Sequence, residues 1–262
     1  MIIQSIGRAI EILSLFSFSQ PRWGISEIAS NVGLQKGTVH NIVSTLVQGG
    51  FLQQDNETRK YCLGSRLFTL GAVMVESLDI TQKATGPAHW LARQTGLVCR
   101  VAIWDHDAAL VLLEVTPHQS EQVLAQRIGP RTVAYCSAIG RALLAYLEPV
   151  EIETYFEKTK LVAYTSKTLI EKQKLYKELE KTRNRRYAVN RGEIAPGRAS
   201  IAATIFRSGG QLAGSMSLSG HPDKLLGEDF ERRVSMLQDA TSEVSRYMGY
   251  FPANPEEARA YS

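Results

Sequence analysis

The side chains best suited to reading another molecule lie close together in "GLQKGTVHNIVSTL", residues 33–46. On a helix of about 3.6 residues per turn, Val39, Ile42, Val43 and Leu46 share one face, which must be buried. Gly37, His40, Asn41 and Ser44 point the other way, flanked by Thr38, Thr45 and Gln48. These side chains are short, and most carry hydrogen-bond donors and acceptors. A helix roughly 10–12 Å across enters the DNA major groove, where its outer face needs short polar groups that reach base edges. Asn41 can pair in bidentate fashion with adenine, Thr38 can meet a thymine methyl, and Lys36 can take a phosphate at the helix start. A helix that was merely solvated would carry more Lys and Glu than this one.

A second set of residues suits a small acid. In "AYCSAIG" an extended segment turns into a helix at Ser137, and the N–H groups of Ala138 and Ile139 are expected to point outward there, toward an anion. Ser217 and Ser219 are two apart on a strand, so their hydroxyls face one side. Ser200 and Thr204 likewise share a side of a neighbouring strand, and Asn190 adds one donor and one acceptor group. Cys136 reads as a small buried filler, although a helix start can lower a thiol pKa. The rival reading is a thiol enzyme with Cys136 as nucleophile and His89, His106 or His118 as base. No histidine lies at a motif-like spacing and no glycine-rich nucleotide loop is present, so no catalytic step is expected.

The elements that must hold these residues follow from periodicity. Residues 5–18 read as an amphipathic helix with Ile6, Ala9, Ile10, Leu13 and Phe16 on one side. Ser26 is expected to cap a short helix ending at Gly33, the left-handed stop, with Glu27 suiting its dipole. The reader helix follows from about Lys36 to Val47. Then "FLQQDNETRKYCLG" reads as a β-hairpin, whose Arg59 and Lys60 are candidate phosphate contacts, as is Arg8 on the first helix. Residues 65–78 form an apolar linker helix, with Leu67, Leu70, Met74 and Leu78 in line. The next helix, after Asp79, should start, kink or break at Pro87. From Val98 the pattern becomes a mixed α+β domain. "VCRVAIW" and "ALVLLEV" are strands joined by "DHDA", followed by two short helices and a charged helix over 169–186 with i,i+4 Glu–Lys pairs. "YAVNRGEI", "SIAATIF" and "AGSMSLSG" are further strands, and a final helix covers about 228–249 before a frayed tail. The expected division is 1–64, 65–78 and 79–262.

Composition narrows the class. The 262 residues are 44% hydrophobic and 21% charged, which suits a globular protein of about two domains. No apolar run is long enough to cross a bilayer, and the N-terminus lacks the build of a signal peptide. Three scattered cysteines suit a reducing cytoplasm, and the five histidines pair with none of them at metal-ligand spacing; neither a metal nor a cofactor is expected. A net charge of +4 permits a nucleic-acid partner without demanding one. Residues 1–77 hold six Lys/Arg and five acids. One such module should bind DNA poorly, and two on one duplex would double the phosphate contacts.

Taken in order, "SIGRAIEIL", "ISEIASNVGLQKGTVHNIVSTL", "YCLG", "YCSAIGRALLAYL", "RRYAVNRGEIAPGRASIAATIF" and "LAGSMSLSG" resemble the IclR family of bacterial transcriptional regulators over essentially the whole chain. The resemblance implies a winged helix–turn–helix, a linker helix and a GAF-like effector-binding domain with an antiparallel sheet. It also implies homodimers, often paired into tetramers, that bind double-stranded operator DNA and respond to small organic or sugar acids. The family's effector pocket uses a helix start, a polar residue at the position of Asn190, a small polar residue at that of Ser200, and two serines matching Ser217 and Ser219. Asn41 stands where the family often has arginine, so a different operator sequence is expected. Some relatives carry a carboxylate where this chain has Asn190, which would make this pocket friendlier to a dianion or a larger acid. Gln35 replaces a common Ser cap, which should weaken the reader helix by about 1 kcal/mol or less.

Overall fold

A glycine free to adopt a left-handed backbone is what allows two short helices to meet at a tight angle, and Gly33 does so with φ 65°. In the computed structural model of the chain, which describes residues 3–17, 19–117 and 131–251, this turn joins α2 (Ile25–Val32) to α3 (Lys36–Gln48). His118 and the tail 252–262 lie outside the described residues. The chain divides into two units, Met1–Ser77 and Leu78–Ser262.

In the first unit, α1 (Gln4–Ser14) packs on α2 and α3, and a two-stranded wing follows, β1 (Leu52–Gln54) paired antiparallel with β2 (Tyr61–Leu63). Trp23 bridges to Tyr61, adding a third segment at the wing's edge. Ile12, Ile28, Val39, Val43, Leu52 and Tyr61 form the core. This corrects part of the expected face of α1, of which Leu13 and Phe16 do pack against this core. Ile12 is its fully buried residue, while Ile6 and Ile10 are 56% and 58% exposed. The cap of α2 also differs. Ser26 lies inside the helix, Gly24 is the N-cap, and Glu27 reaches back to accept the Gly24 amide at 2.7 Å. That bond, and then Lys60, hold the Glu27 carboxyl below its usual pKa. Helix α4 (Ser65–Ser77) buries none of its residues.

The second unit is a six-stranded antiparallel sheet in the order β5-β4-β3-β8-β7-β6. Its strands are β3 (Val98–Asp105), β4 (Ala108–Val115), β5 (Arg131–Val133), β6 (Ala188–Arg191), β7 (Ala199–Arg207) and β8 (Gln211–Gly220). One face carries α5 (Asp79–Thr95) and α10 (Phe230–Tyr247); the other carries the short α6 (Ala138–Leu144). Helices α7 (Pro149–Lys158) and α8 (Lys172–Arg185) extend the α6 side around Tyr155, Phe156, Leu175 and Leu179. Pro87 neither starts nor breaks α5, which runs through it unbroken. Ala84, Ala88, Leu91 and Ala92 are buried on the stripe that borders Pro87, and their packing holds the helix across the missing hydrogen bond. The ion pairs on α8 are Lys174–Glu171, Lys181–Glu178 and Arg185–Glu178, spaced at three and seven residues and not at four. The sequence patterns did not show β5 or the short α9 (Pro222–Leu226). No helix of the described residues is long and apolar enough to cross a membrane.

Candidate functional site

Helix α3 is held by Val39 and Val43, both fully buried. Its opposite side is open: Lys36, Gly37, Thr38, His40, Asn41 and Thr45 are exposed and Ser44 is half-buried. No side chain caps the helix at Gln35. The Thr45 hydroxyl donates to the Asn41 carbonyl at 2.9 Å, so toward a partner it presents a methyl and an acceptor. The cations around this face fall into two groups. Arg8 pairs with Glu11 at 2.8 Å and Lys60 with Glu27 at 3.1 Å. Lys36 and Arg59 are exposed and have no ion-pair partner among the described residues. Exposed pairs of this kind are worth about 0–1 kcal/mol, so Arg8 and Lys60 can exchange a carboxylate for a phosphate at little cost. Arg59 sits at φ 57° in the wing turn, which Asp55 organises by accepting the Glu57 and Thr58 amides.

The serines and Asn190 share the α6 face of the large sheet. In an antiparallel sheet, partners across the strands point to one side. Asn190 pairs with Ser200 and Ser200 with Ser219. Ser217 sits two residues along, opposite Ala202 and Arg100. Further along, the hydroxyls of Ser215 and Thr204 donate to the carbonyls of Ile139 and Ala142, fixing α6 on this face. The expected residues therefore gather where α6 begins, although not all in the parts foreseen. Ala138 and Ile139 open α6 as buried residues. The Ser137 hydroxyl caps α6, accepting the Gly140 amide at 3.1 Å and donating to Val133 O at 2.7 Å. The Asn190 amide is wholly committed to backbone. Its Nδ2 donates to Cys136 O, and its Oδ1 accepts from Gly192 N at 2.9 Å and Glu193 N at 3.1 Å. It positions the start of α6. The hydroxyls of Ser200 and Ser217 make no hydrogen bond to a described residue, and Ser219 Oγ accepts from Arg100 Nη1 at 2.8 Å.

Two charged pairs on this side escaped the sequence reading. Arg100 Nε donates to Glu114 Oε2 at 2.6 Å across β3 and β4. Arg141, 1% exposed, forms a two-pronged pair with Glu193. The available signal was a single charge inside each apolar run: Arg100 in "VCRVAIW", Glu114 in "ALVLLEV" and Arg141 in "SAIGRALL".

The thiol reading finds no support in this geometry. Cys136 is fully buried, and burial pushes its thiol up to about 11; Cys99 is pushed up to about 12 for the same reason. Desolvation outweighs the neighbouring helix start. Neither His89 nor His106 is hydrogen-bonded to Cys136, and His106 is exposed in the β3–β4 turn. Titration of the native protein with a disulfide reagent at pH 8 should therefore modify the half-exposed Cys62 quickly, and Cys99 and Cys136 only after denaturation. Fast modification of two or three thiols would show that burial does not protect them.

The geometry has its counterparts in known proteins. Residues 5–56 match the IclR helix-turn-helix domain, and residues 72–246 match the C-terminal domain described as bacterial transcriptional regulator IclR. The chain is 34% identical over 250 residues to a glycerol operon regulatory protein of Streptomyces coelicolor, covering 94% of this chain and 97% of that one. It is 31% identical over 249 residues to the HTH-type transcriptional regulator XynR of Escherichia coli, covering 95% and 98%. The crystal structure of an IclR transcriptional regulator from Alicyclobacillus acidocaldarius superposes with a TM-score of 0.80 at 26% identity, covering 95% of this chain and all of that one. The open polar face of α3 and the sheet with its α6 cover are thus parts of a known design: the chain belongs to the IclR family of bacterial transcriptional regulators.

Proposed function

We propose that this regulator reads its operator with the outer face of α3 and is gated by a small organic or sugar acid held beside α6. The observation that carries the first part is the contrast along α3: Val39 and Val43 fully buried, and Thr38, His40, Asn41 and Thr45 facing solvent. In this reading Gly37 lets the helix approach closely, Asn41 and His40 meet base edges, Ser44 and Thr45 flank them, and Lys36, Arg59, Arg8 and Lys60 take phosphates. The working partition is 1–64 for DNA, 65–78 as linker and 79–262 for the effector. The effector's acid group lies at the α6 start with the amides of Ala138 and Ile139. Ser200, Ser217 and Ser219 take its other polar atoms, while Ser137 and Asn190 hold the frame. Helix α4, with Phe68 71% and Val73 61% exposed, and the exposed Ile6 and Ile10 of α1 supply apolar surface for a second copy of the chain. A homodimer, or a dimer of dimers, doubles the weak grip of a single module. The effector works by binding one arrangement of the reader helices better than the other, for which a coupling of about 1–3 kcal/mol suffices. No enzymatic step is assigned, and a DNA partner is in keeping with a cytoplasmic protein.

The test is Asn41→Ala in a gel-shift titration against the intergenic DNA upstream of its own gene. Loss of one bidentate base contact should weaken binding by about 1–3 kcal/mol and relax the preference at one position of the site. Unchanged affinity and unchanged preference would remove Asn41 from the reader face.

A further inference from the structure

The pair Arg100–Glu114 lies on the same sheet face as the free serine hydroxyls. Arg100 is the direct cross-strand partner of both Ser217 and Glu114. Its side chain is 23% exposed and that of Glu114 8%. The hydrogen-bond inventory of the two is incomplete in a specific way. Arg100 uses Nε for Glu114 and Nη1 for Ser219, and its Nη2 has no partner among the described residues. Glu114 uses Oε2, and its Oε1 has none. Arg100 Nη2 and Glu114 Oε1 thus make no hydrogen bond to a described residue, and the Ser217 hydroxyl, on the residue paired with Arg100 across β3 and β8, makes none either.

Only some chemical groups satisfy that combination. A hydroxyl donates and accepts, so it satisfies both atoms at once. A carboxylate accepts only; it would meet Nη2 but confront Oε1 with like charge in a poorly solvated place. The formal charges on this side also balance, with Arg100 and Arg141 set against Glu114 and Glu193. Among these four charges no cation is left over for a second acid group. This runs against the expectation that Asn190 favours a dianion, because the carboxylates here stand at Glu114 and Glu193.

We propose that the Arg100–Glu114 pair is the selectivity element of the effector site, accepting a hydroxyl of a polyhydroxylated monocarboxylic acid and rejecting the corresponding diacid. This rests on the reading that an acid binds beside α6. The pair's persistence in a largely apolar face has a physical rationale in these terms. A buried ion pair adds little net stability over apolar residues of the same size, whereas unmatched polar atoms discriminate strongly between ligands.

The experiment is calorimetric titration of the full-length protein with matched acids. The monoacids are erythronate, xylonate and gluconate; their diacids are tartrate, xylarate and glucarate; butanoate, hexanoate and benzoate carry no aliphatic hydroxyl. The best hydroxylated monoacid should bind the wild type at least about tenfold more tightly than its diacid, and Glu114→Gln should bring the two within about threefold. Ser200→Ala disturbs no ion pair and serves if Glu114→Gln melts early. It should weaken the hydroxylated monoacid about fivefold and leave the unhydroxylated acids unchanged. A wild type that prefers the diacid, or an unaltered ratio in folded Glu114→Gln, overturns the proposal. Binding of benzoate or hexanoate in place of the hydroxylated acids overturns the selectivity while the effector site stands. Binding of no acid at all overturns both.

Discussion

Glu193→Ala should lower the melting temperature of the second unit by roughly 6–20 °C in a circular dichroism melt. Arg141 lies on the buried side of α6, with Nε donating to Tyr135 O at 2.7 Å and Nη1 to Val189 O at 3.2 Å. The Glu193 carboxylate balances its charge with two parallel bonds. Removing the carboxylate leaves a guanidinium in a place water does not reach, which costs about 3–5 kcal/mol, at about 2–4 °C each for a unit of this size. The damage should spread through the backbone that Glu193 anchors. Its carbonyl accepts from the Thr168 hydroxyl, and its amide donates to Asn190, which in turn holds the Cys136 carbonyl at the start of α6. Replacing both partners together, as Arg141→Met with Glu193→Leu, should recover much of the loss, because the orphaned charge disappears. A melt within 2 °C of wild type for Glu193→Ala would show that solvent reaches Arg141.

This pair also marks the limit of what a single sequence discloses. The reader helix was legible because local signals agree there: a buried stripe of Val39 and Val43, a left-handed Gly33, and small polar residues on the other side. The serines of β8 were legible because alternation on a strand puts Ser217 and Ser219 on one face whatever lies opposite. The face of α1 was not. That helix has apolar residues on more than one side, and the choice of Ile12 over Ile6 and Ile10 is made by where α2 and α3 happen to pack. Ser26 looked like a cap because its type is right, but Glu27 reaches the Gly24 amide from within the helix and moves the boundary. Pro87 was read from local sterics alone, and packing of the buried stripe of α5 overrides them. Asn190 was grouped with the serines but its hold on the backbone was not foreseen, because its partners Cys136 and Glu193 are brought to it by the fold. The ion pairs Arg100–Glu114 and Arg141–Glu193 join residues on separate elements, and their pairing emerges only once strand register and helix position are known.

Gly64→Ala should cost at least tenfold in operator binding while leaving the melting of the second unit unchanged. A Cβ on Gly64 would stand 2.1 Å from Gly50 O and 2.8 Å from Gly50 C, both backbone atoms. The close approach is built in. Gly64 N donates to Phe51 O at 2.8 Å and Arg66 N to Gly50 O at 3.2 Å, so the end of the wing is laced to the turn after α3. Backbone does not rotate aside as a side chain does, so the strain should reach or exceed the 1–3 kcal/mol typical of overpacking. A unit of this size has little stability to spare, and a shift there displaces the wing and α3 together. Gel-shift titration alongside a thermal melt separates the two effects. Wild-type affinity in the variant would show that the Gly50–Gly64 contact opens without disturbing the reader helix.

The sparse cations of the first unit have a bearing on the conditions under which such a regulator works. With Arg8, Arg22 and Lys60 already engaged by carboxylates, Lys36, Arg59 and Arg66 are the cations of the first unit that can meet a duplex without first giving up an ion pair. Counting those three cations alone, raising salt from about 50 to 200 mM weakens each module's grip about fortyfold. A dimer that seats two modules multiplies the two losses to about a thousandfold or more, so its hold on the duplex falls steeply as the salinity around it rises.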